Sequence, residues 1–256
     1  MTAVTPIAPP ARGLLLLEGR ALFELAALLP AYPALRRAPT GDGHAVLVLP
    51  GFMAGDFSTG TLRRFLRDKG YRAHGWKLGR NLGPSEALIA AMVERLADVQ
   101  RRSGGRVSLI GWSLGGIYAR ELARAMPDLV RQVITLASPF RDLDAVNVPR
   151  FLRGQARRRN PVGDGDAVRE RLRAPLTVPT TAIFSHSDGI AAGDSCRADA
   201  APQTENLEVE SSHLGIGHHP VVLLTIADRL AQPEGAWRPF APPRGWRFPL
   251  VPRVVG

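Results

Sequence analysis

The run Gly111-Trp112-Ser113-Leu114-Gly115 constrains this chain more than any other stretch. It follows the apolar residues Val107-Ser108-Leu109-Ile110 and opens a helical pattern that continues from Gly116 to Met126, so the serine falls between a strand and a helix. A turn that sharp tolerates only small residues two positions to either side, because a larger side chain would meet the neighbouring strand or helix. On this reading Ser113 stands clear of both elements as an exposed nucleophile. The Leu114 backbone N–H then begins a helix and points at an anion forming beside the serine. The bland reading is a Ser/Gly turn in a chain with 26 glycines, and the flanking strand and helix are what favour the first.

The chain on either side alternates in the same way. Residues 45–49 (Ala-Val-Leu-Val-Leu) form a continuous apolar run of the kind buried on both faces of a parallel sheet, and Pro50-Gly51-Phe52 leaves it in a turn. Helical spacing over 58–67 runs through Leu62, Phe65 and Leu66 to a stop at Gly70, and 71–76 reads as a strand. Gly83-Pro84 then introduces a helix carrying Leu88, Met92, Leu96 and Val99, ended by Gly104-Gly105. Past the Ser113 helix, 132–137, 181–184 and 206–210 read as strands and 221–230 as a helix. Such alternation with short, right-handed connections predicts an α/β fold: a doubly wound, mostly parallel sheet with helices on both faces, as one domain over 44–231. A chain of 256 residues, 45% hydrophobic, buries a core of that size without staples. The single cysteine, Cys196, forms no intramolecular disulfide and says nothing of redox compartment.

Three segments lie outside this alternation. Residues 1–43 read as an N-terminal helix and linker: Leu14, Leu17, Ala21, Leu25 and Leu28 fall at helical spacing, which predicts one stripe packed on the body, with 30–43 as the linker. Glu18, Arg20 and Glu24 interrupt that apolar run too often for a membrane span, and no basic residue precedes Arg12 to begin a signal peptide. A cytoplasmic protein is therefore expected, with weak peripheral membrane contact by this helix left open. Residues 141–175 have no strand pattern and are broken by Pro149 and Pro161. An insertion at the carboxyl ends of parallel strands covers the crevice there, so the segment is expected to be a cap rather than a disordered loop. Phe140, Val146, Val148, Phe151 and Leu152 would form its underside, and Arg150, Arg153, Arg157, Arg158 and Arg159 would face outward. The short apolar pieces favour a fixed cap over a lid that opens on lipid. The proline-rich stretch 232–256 is expected to wrap the surface or fray.

A serine hydroxyl needs a base, and the base needs an acid to orient it. Asp188 directly follows the strand at 181–184 in a Ser-Asp-Gly turn, where Gly189 frees the backbone to aim the carboxylate; Asp194, farther along the loop, is the alternative acid. Of six histidines, His44 and His74 precede the serine and His186 adjoins Asp188 too closely to fold back on it. His213, His218 and His219 share the glycine-rich loop between the last strand and the last helix, and His213 stands nearest the strand end. The alternative for these three is a metal site, disfavoured because no two share a helix face and no acidic residue stands nearby.

With these residues in view the chain resembles the α/β-hydrolase family, and within it the bacterial lipases and esterases. The resemblance spans residues 45–230 and rests on Gly111-Trp112-Ser113-Leu114-Gly115-Gly116, Asp188-Gly189 and Ser212-His213-Leu214-Gly215. Pro50-Gly51-Phe52 resembles the oxyanion loop of those enzymes, although they usually carry a histidine where this chain has Pro50. The resemblance implies a Ser113–His213–Asp188 triad and an oxyanion hole from the N–H groups of Phe52 and Leu114. It implies ester hydrolysis through an acyl-enzyme, on a small-molecule or lipid ester, with no metal and no cofactor.

An acyltransferase would use the same residues and differ only in excluding water, and a non-catalytic binding module would not need all three polar members in chain order. The net charge of +10 comes almost wholly from arginine, as Lys69 and Lys77 are the only lysines. Scattered arginine without aromatic interleaving or a nucleic-acid motif argues against a nucleic-acid partner.

Overall fold

The computed structural model describes residues 6–149, 154, 165–242 and 251–255. Seven strands form one sheet in the order β2-β1-β3-β4-β5-β6-β7. These are β1 (Ala45–Leu49), β2 (Arg72–Gly75), β3 (Val107–Trp112), β4 (Val130–Leu136), β5 (Thr180–Phe184), β6 (Thr204–Glu208) and β7 (Arg253–Val255). The first six pair in parallel and β7 runs antiparallel to β6.

Alternate residues of β1 explain the layering. Val46 and Val48 join a core with α3 (Leu28–Arg37), α4 (Gly60–Asp68) and α8 (Pro220–Leu230), whereas Ala45, Leu47 and Leu49 join another with α5 (Glu86–Ser103) and α6 (Leu114–Ala125). Side chains on a strand point to opposite faces in turn, so a fully apolar strand needs cover on both. Helix boundaries follow local chemistry: the Ser85 hydroxyl accepts the Leu88 N–H at 3.2 Å to cap α5, and Gly104 ends it at φ 71°.

The flanking segments depart from expectation in instructive ways. The N-terminal helix is broken into α1 (Gly13–Leu17), a 3-10 turn (Glu18–Arg20) and α2 (Ala21–Ala26), and α3 occupies what reads in sequence as linker. Its stripe is inward only in part: Leu14, Ala21 and Leu28 are half-buried, with Leu28 packed on the core, but Leu17 and Leu25 are exposed and Glu18 and Glu24 are buried. Both carboxylates are held inward by backbone N–H groups of Gly189, Ser212 and His213.

In the expected cap, α7 (Asp166–Arg173) packs against the flank of α6. Arg120 of α6, buried, donates to the Leu172 and Ala174 carbonyls and lies 4.0 Å from the centre of the Phe140 ring. Phe140 thus belongs to a core cluster with Ile117, Leu172 and Ala182, not to the underside of a cap. Arg150, Phe151, Leu152, Arg153, Arg157, Arg158 and Arg159 lie outside the described residues. In the C-terminal stretch, Phe240 is buried and β7 covers the edge of β6, so the tail closes the sheet at that side.

Candidate active site

The parallel register brings the carboxyl ends of β1, β3, β5 and β6 to one side of the sheet, where ligands bind in folds of this type. Leu49 of β1 pairs with Gly111 of β3, which sets Pro50-Gly51-Phe52 beside Trp112-Ser113-Leu114. Ser113 has φ 53° and ψ −121°, a conformation that costs an L-residue of order 1–3 kcal/mol and persists only where the surroundings enforce it. They do so by close approach: a Cβ at Gly111 would overlap the Gly115 carbonyl, and one at Gly115 would overlap the carbonyl of Leu49. The Ser113 N–H is held by the Leu136 carbonyl at 2.8 Å. Gly51 presses its backbone on Ser113, with room for a Cβ only at 3.3 Å from the serine Cβ. Among the described residues, neither the Phe52 nor the Leu114 N–H has a hydrogen-bond partner, so both remain available donors.

Asp188 and His213 are hydrogen-bonded to each other. Oδ2 of Asp188 lies 2.7 Å from Nδ1 of His213, and Oδ1 accepts the N–H groups of Ile190 and Ala191 at 2.7 and 2.8 Å. Both residues are buried. A carboxylate only accepts, so Nδ1 carries a proton, and in the neutral imidazole the lone pair is then on Nε2. Burial pushes the imidazole down, but the Asp188 carboxylate, its hydrogen bond and the charge of Glu18 together outweigh that and raise the His213 pKa. The Trp112 indole donates to the His213 carbonyl at 3.1 Å, tying the residue before Ser113 to the histidine loop.

Of the alternatives, Asp194 and His218 have partners elsewhere, whereas the buried Nδ1 of His219 has no hydrogen-bond partner among the described residues. Asp194 faces His186 and Arg197, and Nε2 of His218 lies 3.0 Å from the Ala21 carbonyl. No group of three or more His, Cys, Asp or Glu among the described residues could hold a metal ion. Burial pushes the Cys196 thiol well above its ordinary range, which leaves it inert. A hydrogen-bonded Ser–His–Asp chain lies at the amino ends of the strands, where His44 bridges Ser108 (2.8 Å) and Asp42 (2.5 Å). Ser108 is fully buried within β3, and burial pushes His44 down, so this chain braces the fold and faces no substrate. A cavity of ≈ 210 Å³ lined by Glu208, Glu210, His219 and Val251 among others includes none of the site residues.

Three residues at the site escape sequence reasoning. Glu18 accepts the backbone N–H groups of Gly189 (2.8 Å), His213 (3.0 Å) and Leu214 (2.9 Å). Glu24 accepts the N–H and hydroxyl of Ser212 at 2.8 and 2.5 Å. Asn81, fully buried, donates its side-chain amide to the Pro50 carbonyl at 3.0 Å, while its backbone receives the Met53 N–H and donates to Ala54. The Tyr118 hydroxyl completes the Asn81 side chain at 3.2 Å. The loop that carries Phe52 is therefore clamped at both ends by one residue.

No protein-family model and no curated protein matches the chain. Solved structures do match. Aspergillus fumigatus lipase B aligns with a TM-score of 0.60 at 17% identity over 80% of this chain, which spans 58% of that lipase. MGS-MChE2, an α/β hydrolase from the metagenome of sediments of the Mar Chica lagoon in Morocco, aligns with a TM-score of 0.51 at 17% identity, over 74% of this chain and 90% of its own. One of the metagenome-derived lipolytic enzymes LipS and LipT aligns with a TM-score of 0.52 at 17% identity, over 69% and 88%. The chain has the α/β-hydrolase fold. Its structural neighbours include lipases and esterases.

Proposed function

We propose that the protein is a serine hydrolase of carboxylic esters. The observation that carries this reading is the buried Asp188–His213 pair at 2.7 Å, tied through Trp112 to a serine at φ 53° on a strand-to-helix turn. Ser113 is the nucleophile. Nε2 of His213 takes its proton as Oγ bonds to the ester carbonyl carbon, and the resulting oxyanion is held by the N–H groups of Phe52 and Leu114. Collapse of this intermediate expels the alcohol, which leaves with the proton from His213, and an acyl-enzyme remains. Water, deprotonated by the same imidazole, attacks the acyl carbon; Ser113 recovers its proton and the carboxylic acid departs. Asp188 fixes the imidazole tautomer and stabilises its charged form. Each oxyanion donor contributes on the order of 3 kcal/mol to the transition state.

A panel of p-nitrophenyl esters of increasing acyl length, run on wild type and Ser113→Ala, tests the reading, together with labelling by a fluorophosphonate. Hydrolysis that vanishes in Ser113→Ala and label confined to Ser113 are expected. Label on Ser138 or Ser212, or turnover that survives Ser113→Ala, overturns the assignment. Preferential transfer of the acyl group to an added alcohol would make the protein an acyltransferase.

A further inference from the structure

The N-terminal helices bury their acids and expose many of their apolar side chains. Leu16 is 86% exposed, Leu22 74%, Phe23 78% and Leu29 81%, and Leu15, Leu17 and Leu25 are also exposed. Isolated exposed apolar residues need no explanation, but a sustained stripe of them marks a contact surface. Between residues 6 and 41 the only acids are Glu18 and Glu24, and both are consumed by the loops of Asp188 and His213. The exposed charges left on this segment are Arg12 at one end and Arg36 and Arg37 at the other, with Arg36 over the ring of exposed Tyr32 at 5.9 Å. The stripe is thus apolar in the middle and cationic at its ends.

We infer that this face docks on an anionic lipid surface, setting the catalytic crevice against it. A bilayer accepts leucine and phenylalanine without shaped pockets, places tyrosine at the headgroup level and pairs its phosphates with arginine. A second copy of the chain would instead bring Arg12, Arg36 and Arg37 against their own kind across a two-fold contact. No helix among the described residues is long and apolar enough to cross a membrane, so the segment lies along the interface. Its docking brings the site with it, because Glu18 and Glu24 bind the segment directly to the loops of Asp188 and His213, and Leu214, next to His213, is itself half exposed.

The test is co-sedimentation of the full chain with vesicles of phosphatidylcholine alone and of phosphatidylcholine and phosphatidylglycerol in about equal parts, with the Ser113→Ala chain so that docking is read apart from catalysis. Binding to the mixed vesicles at least about tenfold tighter than to phosphatidylcholine, and weakened by salt, is expected. Leu22→Ser/Phe23→Ser should abolish it, as should Leu16→Gln/Leu29→Gln, which checks the result with a second pair should the first disturb folding. Arg12→Gln/Arg36→Gln/Arg37→Gln should erase the preference for the anionic lipid. No binding to the mixed vesicles, or binding indifferent to both apolar pairs, overturns the inference. So does a wild-type dimer in sedimentation equilibrium that either apolar pair converts to monomer, since the face would then be covered by a second copy.

Discussion

Glu18 accepts the backbone N–H of His213 at 3.0 Å, and the same oxygen accepts that of Gly189, the residue after Asp188, at 2.8 Å. One buried atom thereby fixes the spacing of two loops that reach the crevice from different strands. It also adds a second negative charge near the His213 imidazole.

Replacing Glu18 by Gln keeps the size of the side chain and removes the charge. An amide supplies one acceptor oxygen in place of two, so at least one of three buried N–H groups loses its partner, at about 1–3 kcal/mol. The expected result is a fall in kcat of about tenfold or more with little change in KM, and an acidic limb of kcat/KM displaced to lower pH because the charge that supports protonated His213 is gone. A pH–rate profile measures both. A limb that does not move would reduce Glu18 to a structural tie.

The pH dependence of the wild type has a definite sign. In the proposed mechanism His213 must be neutral to accept the serine proton, and its pKa is raised above the ordinary value of 6.5, so kcat/KM should climb through an inflection above that value and then level off. Stability runs the other way. A raised pKa in the folded state means that the Asp188–His213 contribution is complete below the ordinary imidazole value and is lost as pH rises through the raised one. Thermal melts of wild type and His213→Gln across this range should converge toward the alkaline end. An inflection below the ordinary value would contradict the electrostatics of the site.

Asn81→Ala removes the amide that holds the Pro50 carbonyl and leaves the Tyr118 hydroxyl without its acceptor. The Phe52 N–H should then lose its position by a fraction of an ångström to an ångström, which can cost up to about a hundredfold in rate. Steady-state kinetics should show this in kcat more than in KM. Equal losses in a variant with an intact melting curve but raised KM alone would place the effect on substrate binding.

Among the histidines, His213→Ala should cost at least about a thousandfold in kcat/KM, whereas His218→Ala should keep most of the activity, its ring nitrogen being bonded to the Ala21 carbonyl. The reverse order in a side-by-side assay would move the base to the start of α8.

The parts of the site that are legible in sequence are those fixed over short stretches. Gly111 is demanded by the backbone of Gly115 and Gly116 a few residues on, Gly115 by the carbonyl of Leu49 at the end of an apolar run that reads as a strand, and Asp188 and His213 each follow a recognisable strand. Glu18 and Glu24 are not legible, because their partners lie more than 160 residues away and a charge in an apolar run ordinarily marks the solvent side. The same misreading turned Leu17 and Leu25 inward. Asn81 stands in a loop without periodicity, and the three residues of β7 are too few to signal a strand within a proline-rich stretch. The acids and amides that orient the catalytic loops thus depend on tertiary contacts that no local pattern encodes.

The tie between Glu18 and His213 spans a sequence separation of 195 residues. Contacts that close so much chain carry a large loop entropy and are disfavoured until most of the molecule is in place. The central strands and the turn at Ser113 depend on nearer neighbours and can form before it. A refolding chain should therefore regain its helical circular dichroism ahead of the proposed ester hydrolysis, and a partly folded chain should carry a well-shaped serine turn with an unaligned His213. Competence then arrives with topological closure, which makes the onset of catalysis a report on the completed fold.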